Sequence, residues 1–182
     1  MAHHGTDPEQ ASIYHDALGD IVRAAQGLLL QGRSALDAVT LAVEMLEDCP
    51  LFNAGHGAVF TRDETHELDA AIMDGANLRA GAVACVGRIR RPIRAARAVM
   101  EQGEHVLLVA QGAERFAQSR GLEMVAQDYF STELRRAQLH QAIALQTTLL
   151  DHDAEVDAVS VPLAPARPLD EGRKFGTVGA VA

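Results

Sequence analysis

The nine residues KFGTVGAVA (174–182) decide how this sequence is interpreted, because they join a Gly-Thr pair to a run of small apolar residues. Such a run predicts a buried β-strand that begins at Gly176. The segment before it (146–176) has no hydrophobic period and carries three prolines and many charges, a composition typical of a flexible linker. A linker that leads directly into a core strand is an unusual connection, so the junction itself needs an explanation.

The Gly176–Thr177 junction makes chemical sense if the chain is cut before Thr177. Cleavage would leave an α-amino group with a reference pKa of about 8, which can act as the base for the threonine's own hydroxyl. The β-branch of Thr177 restricts χ1, and Gly176 allows a strained backbone beside the bond. An N-to-O acyl shift followed by hydrolysis would then break the chain. A Gly-Thr pair that merely begins a strand is the simpler alternative, and the dipeptide alone leaves it open.

The rest of the chain alternates between helical and strand patterns. Apolar spacing predicts one helix from about Pro8 to Gly32 and a second from Ser34 to about Cys49. A Gly-rich loop leading into a strand (51–60), further strands and further helices follow, and the remaining predicted elements are strands 66–75, 80–89 and 105–110 and helices 92–102, 112–120 and 131–145. Strands with helices outside them predict a layered α/β or α+β domain.

Composition excludes several classes of protein. The formal net charge of −9 argues against nucleic-acid binding, which requires a basic face. No apolar run approaches the roughly 18 residues of a membrane helix. The first ten residues, MAHHGTDPEQ, do not have the basic and apolar pattern of a secretion signal, so secretion by that route is not expected. Cys49 and Cys85 have neither a metal-site spacing nor a disulfide pattern, and Cys85 is predicted to lie in the core. The expected setting is therefore the reducing cytoplasm.

A second candidate site is the Gly-rich stretch CPLFNAGHGAVF (49–60). Gly55 and Gly57 permit a tight backbone and the close approach of a partner. Asn53 carries a side-chain amide that can orient a nucleophile or hold an oxyanion. The backbone carbonyls at the end of the preceding helix can ring a hard cation such as sodium. The alternative is a purely structural loop between a helix and a strand.

Histidine and acidic side chains cluster just after this loop, and they could form a metal site. The candidates are His56, Asp63, Glu64, His66, Glu67, Asp69 and Asp74. Their spacing matches no metal-binding motif, and alternation places Glu67 and Asp69 on one face of a strand. A solvated sheet edge is the favoured interpretation, and a metalloenzyme is the alternative.

Three stretches of the chain, taken in order, resemble the plant-type asparaginases, also called isoaspartyl peptidases, which are N-terminal-nucleophile hydrolases. The stretches are SALDAVTLAVEMLEDCPLFNAGHGAVFTRDETHELDAAIMDG (34–75), AGAVACVGRIRRPIRAARAVME (80–101) and GTVGAVA (176–182). The resemblance implies that Thr177 is the catalytic nucleophile, freed by autocleavage of the Gly176–Thr177 bond, with Asn53 beside it. It also implies a structural sodium ion on main-chain oxygens, here those of Leu46, Glu47, Cys49, Phe52, Ala54 and His56, and no cofactor for catalysis.

The same resemblance implies a four-layer αββα sandwich that acts as a dimer of αβ pairs and hydrolyses β-aspartyl dipeptides and L-asparagine. On this basis the chain divides into an α-subunit body (1–145), a linker ending at the cleavage site (146–176) and the first strand of a β-subunit (177–182). The family's first strand with its HGGAG-like loop has no counterpart here, and neither does most of the β-subunit. We therefore expect an incomplete sandwich and a chain that is inactive alone.

Two alternatives stay open within this resemblance. One is a related N-terminal-threonine amidohydrolase, such as a glycosylasparaginase or a taspase-like protease, because the β-subunit normally carries the residues that distinguish them. The other is a truncated fragment without catalytic activity.

Overall fold

The computed structural model describes residues 8–144 and 177–182, and this part of the chain is an α+β domain. Its helices are α1 (Pro8–Leu30), α2 (Ala35–Glu47), α3 (Pro92–Gln102), α4 (Ala110–Ser119) and α5 (Glu133–Ala144), and its strands are β1 (Leu68–Met73), β2 (Ala80–Val86) and β3 (Leu107–Val109). A short 3-10 turn (Gln127–Phe130) precedes α5. The predicted mixture of strands and outer helices is therefore confirmed, whereas the four-layer sandwich stays a prediction.

The three described strands form one sheet in the order β1-β2-β3. β1 and β2 are antiparallel and are joined by a turn in which the carboxylate of Asp74 accepts hydrogen bonds from Ala76 and Asn77. β2 and β3 are parallel, so α3 forms the crossover between them.

A β-bulge interrupts the β1–β2 pairing and changes the position predicted for Cys85. Leu68 pairs with Val86 but Ala70 pairs with Val83, so β2 carries one extra residue at this point. Cys85 adopts a φ of 54°, its N–H donates to Asp69 Oδ1 at 2.8 Å, and its side chain is exposed. The prediction that Cys85 lies in the core is wrong, because the bulge turns it outward.

Three clusters of buried side chains hold the helices and the sheet together. The main core lies between the sheet and helices α3 and α4, and its fully buried members include Val83, Val86, Val99 and Phe130. A second cluster joins α1 to the end of α2, and a third joins α2 and α3 to β1. The helical hairpin α1–α2 therefore forms one wall of the domain, on the side where the candidate site lies.

Two strand predictions fail in the described residues. Residues 51–60 form a loop that enters no strand, because its backbone groups bond to the end of α2 and to residues 129–135. Residues 177–182 pair with no described strand, and Val178 and Ala180 instead pack against the α1–α2 cluster. The predicted linker lies outside the described residues, so the three-part division of the chain stays a prediction.

Gly81 offers a direct test of how closely α3 packs on the sheet. A Cβ at this position would lie 2.2 Å from the carbonyl oxygen of Ala96 and 2.4 Å from the amide nitrogen of Met100. We expect Gly81→Ala to lower the free energy of unfolding by about 2 kcal/mol or more, measured by urea denaturation, because overpacking moves backbone. Gly75→Ala is the matched control, since nothing lies within 4 Å of its added Cβ. Equal stability of the two variants would contradict this packing.

Candidate active site

An open cleft of about 700 Å³ lies between α2 and β1. It is lined by α2, the loop after α2, β1, the start of α3 and the last six residues of the chain. Asn53 and Thr177 both lie on its wall, although they are 124 positions apart in the sequence. The structure therefore brings the two predicted site residues to the same cleft. Gly176 lies outside the described residues.

The terminal segment is held by alternate side chains. Val178 and Ala180 are half-buried and pack against the cluster formed by Ile21, Ala42, Leu46 and Phe52. Thr177 and Gly179 alternate with them and are exposed. Two small apolar contacts thus anchor the segment while leaving the Thr177 side chain accessible from the cleft.

Asn53 is oriented by a hydrogen bond within its own loop. Its Oδ1 accepts from the backbone N–H of Val59 at 2.9 Å. An N–H group can only donate, so this bond settles which end of the side-chain amide faces Val59. The NH₂ end is then the part of Asn53 that can donate toward a developing negative charge.

The loop after α2 turns so tightly that two of its positions require glycine. Gly55 and Gly57 have φ values of +47° and +111°. A Cβ on Gly55 would lie 2.2 Å from the carbonyl oxygen of Glu47, and one on Gly57 would lie 2.7 Å from that of Pro50. The N–H of His56 also donates to the Glu47 carbonyl at 2.7 Å. The loop is therefore folded directly onto the end of α2.

Residues 129–135 hold the same loop from the other side. The ring of His56 donates from Nδ1 to the carbonyl of Tyr129 at 2.6 Å, which fixes its tautomer. The N–H of Gly57 donates to the carbonyl of Phe130 at 2.9 Å, and the Gly57 carbonyl accepts from Arg135 Nε at 2.7 Å. These contacts were missed by sequence reasoning, because nothing local links residues so far apart in the chain.

Glu47 is a buried carboxyl group on the cleft wall that the sequence did not single out for its side chain. Oε1 accepts from the N–H of Ile93 at 2.9 Å, in the first turn of α3, whereas Oε2 has no hydrogen-bond partner within the described residues. Burial raises the pKa of Glu47 to about 8, helped by the charges of Glu44 and Asp48 and opposed by the Ile93 bond and Arg91. Burial therefore favours the protonated form of Glu47.

The predicted sodium ligands follow one another around the same turn. The carbonyl oxygens of Leu46, Glu47 and Cys49 each accept a backbone N–H, from Cys49, His56 and Phe52 respectively. A carbonyl oxygen has two lone pairs, so those of Glu47 and Cys49 can also face a hard cation, which prefers oxygen ligands, whereas that of Leu46 accepts a second N–H, from Asp48. The donor set thus suits sodium chemically.

The acidic and histidine cluster does not form a metal site. Within residues 8–144 and 177–182, no group of three or more His, Cys, Asp or Glu side chains is placed to hold a metal ion. Asp63, Glu64 and Glu67 are exposed, in agreement with a solvated edge. For His66 that interpretation is wrong, because the side chain is only 1% exposed.

The buried His66 side chain links the loop after α2 to the residues before α5 by hydrogen bonds. Its Nδ1 donates to the Val59 carbonyl at 3.2 Å, so in the neutral ring Nε2 accepts from Ser131 Oγ at 3.0 Å. The ring packs between Phe60 and Phe130. Burial lowers the pKa of His66, although its bond to Val59 acts in the opposite direction.

The structure is an α+β domain that places a threonine and an oriented asparagine on one cleft. This arrangement agrees with the class of hydrolase inferred from the motifs. Sequence comparison identifies the family. Residues 2–182 match the family model described as Asparaginase, and the chain belongs to that family. It is 54% identical over 174 residues to the isoaspartyl peptidase of Escherichia coli K12, covering 96% of this chain and 50% of that protein.

Two further relatives extend the comparison across distant organisms. The chain is 44% identical over 188 residues to a putative isoaspartyl peptidase/L-asparaginase of Dictyostelium discoideum, covering 95% of this chain and 54% of that protein. It is also 54% identical over 94 residues to a plant-type L-asparaginase of Thermococcus kodakarensis, covering 52% of this chain and 31% of that protein. The chain spans about half the length of the first two of these curated relatives. Within its described part, no helix is both long and apolar enough to cross a membrane.

The buried ring of His66 predicts a specific loss of stability in acid. Because its pKa is lowered on folding, the unfolded chain binds the proton more readily, and the free energy of unfolding falls as pH drops below about 6.5. We expect His66→Gln to show a shallower decline between pH 7 and pH 5 in urea titrations. His105→Gln, at an exposed histidine, is the control and should keep the wild-type decline. Identical pH dependence in wild type and His66→Gln would contradict this role.

Proposed function

We propose that this chain forms the part of an isoaspartyl peptidase/L-asparaginase that carries the nucleophile, Thr177, and an oriented amide donor, Asn53. The observation that carries the proposal is that both side chains lie on one cleft, in a chain whose relatives are named for this activity. The proposed substrates are β-aspartyl dipeptides and L-asparagine, both of which present an amide on the aspartyl side chain.

The proposed reaction is acyl transfer through an N-terminal threonine. The α-amine of Thr177 takes the proton of its own hydroxyl, and Oγ1 attacks the side-chain carbonyl of the substrate. The carbon–nitrogen bond breaks, and the proton leaves with ammonia or with the amine of the second residue. Water then hydrolyses the ester and releases aspartate. The Asn53 NH₂ group is suited to stabilise the negative charge that develops on oxygen.

Autocleavage of the Gly176–Thr177 bond is the proposed route to the free amine. The exposed position of Thr177 supports it, because the hydroxyl must turn back to the preceding carbonyl before the N-to-O shift. The shift moves the acyl group from nitrogen to Oγ1, and water then separates the two chains.

The proposed complete enzyme is a four-layer αββα sandwich that assembles as a dimer of αβ pairs. The open cleft supports this arrangement, since much of its wall is apolar and comes from α2 and β1, including Leu36, Val39, Leu68 and Ile72. We propose that a β-subunit from the same precursor covers this wall and supplies further substrate-binding groups. This chain alone is then expected to be inactive. A cytoplasmic location stays a prediction from the sequence.

The relatives favour this activity over the other N-terminal-threonine amidohydrolases, because the best-covered ones are named isoaspartyl peptidases. The metalloenzyme alternative lacks support, since the described His, Asp and Glu side chains form no metal cluster. The remaining alternative is a truncated fragment without catalytic activity. An activity assay on the complete gene product tests it.

Thr177 is the residue whose replacement tests the proposed chemistry. In the complete protein, we expect Thr177→Ala to abolish chain cleavage and to lower hydrolysis of β-aspartyl dipeptides at least about 1,000-fold, because the nucleophile is lost. Ammonia release from asparagine should fall in parallel. Thr65→Ala, at an exposed threonine bonded to Thr61, is the control and should retain activity. Undiminished hydrolysis by Thr177→Ala, or activity that a chelator abolishes, would contradict the proposal.

The structural sodium ion is a proposal with its own test. Replacing sodium chloride by choline chloride at equal ionic strength should lower the midpoint of thermal unfolding, because an ion that binds only the folded state stabilises it. Gly55→Ala should remove the difference between the two salts, since its Cβ would displace the Glu47 carbonyl. Equal midpoints in both salts for the wild type would show that sodium does not bind here.

A further inference from the structure

Arg135 is a buried cation next to the Asn53 loop. It lies in the first turn of α5, and it is only 4% exposed. Its Nε donates to the Gly57 carbonyl at 2.7 Å, and Nη1 donates to Gln138 Oε1 at 3.1 Å. The Arg135 backbone N–H is in turn held by Thr132 Oγ1 at 3.2 Å. Burying a guanidinium is unfavourable without hydrogen bonds, and the bonds of Nε and Nη1 hold this one in a defined position.

With the Arg135 contact, both the N–H and the carbonyl of Gly57 are hydrogen-bonded to residues 130–135. The N–H of Gly57 donates to Phe130, on the same segment that carries Arg135, while its carbonyl accepts from Arg135 itself. Gly57 has a φ of +111°, in a region of backbone conformation that glycine adopts readily and other residues rarely adopt. The two bonds therefore select one backbone path among several that a glycine can adopt.

That path leads within two residues to the hydrogen bond that orients Asn53. Val59 follows Gly57 through the buried Ala58, and the Val59 N–H holds Asn53 Oδ1 at 2.9 Å. We propose that Arg135 is a positioning residue that fixes Gly57, so that Val59 holds the Asn53 amide on the wall of the cleft that Thr177 lines. The catalytic part of this inference rests on the proposed function; the loop-holding part does not.

Lysine would reproduce only part of this arrangement. The guanidinium presents several donors in a rigid plane, and Arg135 uses one toward Gly57 and another toward Gln138. A lysine ammonium is a point donor on a flexible stem. Arg135→Lys is therefore a partial replacement, and Arg135→Met keeps the apolar stem while removing every donor.

Hydrogen exchange in the complete protein tests the loop-holding part. We expect the amides of Gly57 and Val59 to exchange about 10-fold faster or more in Arg135→Met than in wild type, because local opening becomes easier. Arg136→Met is the matched control, since this neighbouring residue is half-exposed and pairs with Glu64. It should leave these amides within about 2-fold of wild type. Unchanged exchange in Arg135→Met would overturn the proposal.

A double-mutant cycle tests whether Arg135 acts through Asn53. Arg135→Met should lower kcat about 10- to 100-fold with KM nearly unchanged, because a small misplacement of a catalytic group has effects of this size. In an Asn53→Ala background the same change should lower kcat by less than about 3-fold. Arg135→Lys should recover part of the loss. Fully additive effects would overturn the proposal in favour of a general structural role.

The two measurements separate this inference from the proposed function. If the complete wild-type protein hydrolyses neither substrate, the proposed function fails, and the exchange rates still decide whether Arg135 holds the loop. If Arg135→Met does not fold, Arg135→Lys decides by the same exchange measurement, with an intermediate rate expected. If Arg135→Lys folds and has both the wild-type exchange rate and the wild-type kcat, the proposal that the guanidinium positions the loop is overturned.

Discussion

The close approach of Gly55 and Gly57 to the end of α2 is the constraint on which the site depends. The Glu47 and Pro50 carbonyls lie where any Cβ on these glycines would be, so the loop can follow this path only without side chains there. The path brings Asn53 to the cleft wall and leaves the peptide groups of Gly57 facing residues 130–135. The orientation of Asn53, the proposed sodium ligands and the role inferred for Arg135 all follow from this turn.

The wall behind the turn is stiffened by charges that join α2 to α3. Asp48 accepts from Arg91 and from the hydroxyl of Tyr129, and Arg90 donates to that same hydroxyl. Burial opposes ionisation of Asp48, but the hydrogen bond and the charge of Arg91 outweigh it, so the pKa of Asp48 lies below its ordinary value. These pairs are partly exposed and each contributes little alone. Acting as a network, they align the end of α2, where Glu47 contacts the first turn of α3.

Local sequence patterns were sufficient to place the described helices. Apolar spacing predicted the five described helices to within a few residues. The roles proposed for Thr177 and Asn53 came from the family resemblance and stay predictions. The failures share a physical cause, which is that they depend on contacts between distant parts of the chain. The burial of His66 is set by Ser131 and two phenylalanines, and the grip of Arg135 on Gly57 spans 78 residues. Contacts between residues so far apart in the chain cannot be inferred from one sequence without an alignment.

The terminal segment connects this geometry to function. Val178 and Ala180 pack on the α1–α2 cluster and leave Thr177 exposed at the cleft, which is where a newly formed N-terminus would need to be. The most direct measurement is the intact mass and N-terminal sequence of the purified product of the complete gene. We expect two fragments, the smaller beginning at Thr177. A product in which the Gly176–Thr177 bond stays intact while β-aspartyl dipeptides are hydrolysed would contradict it.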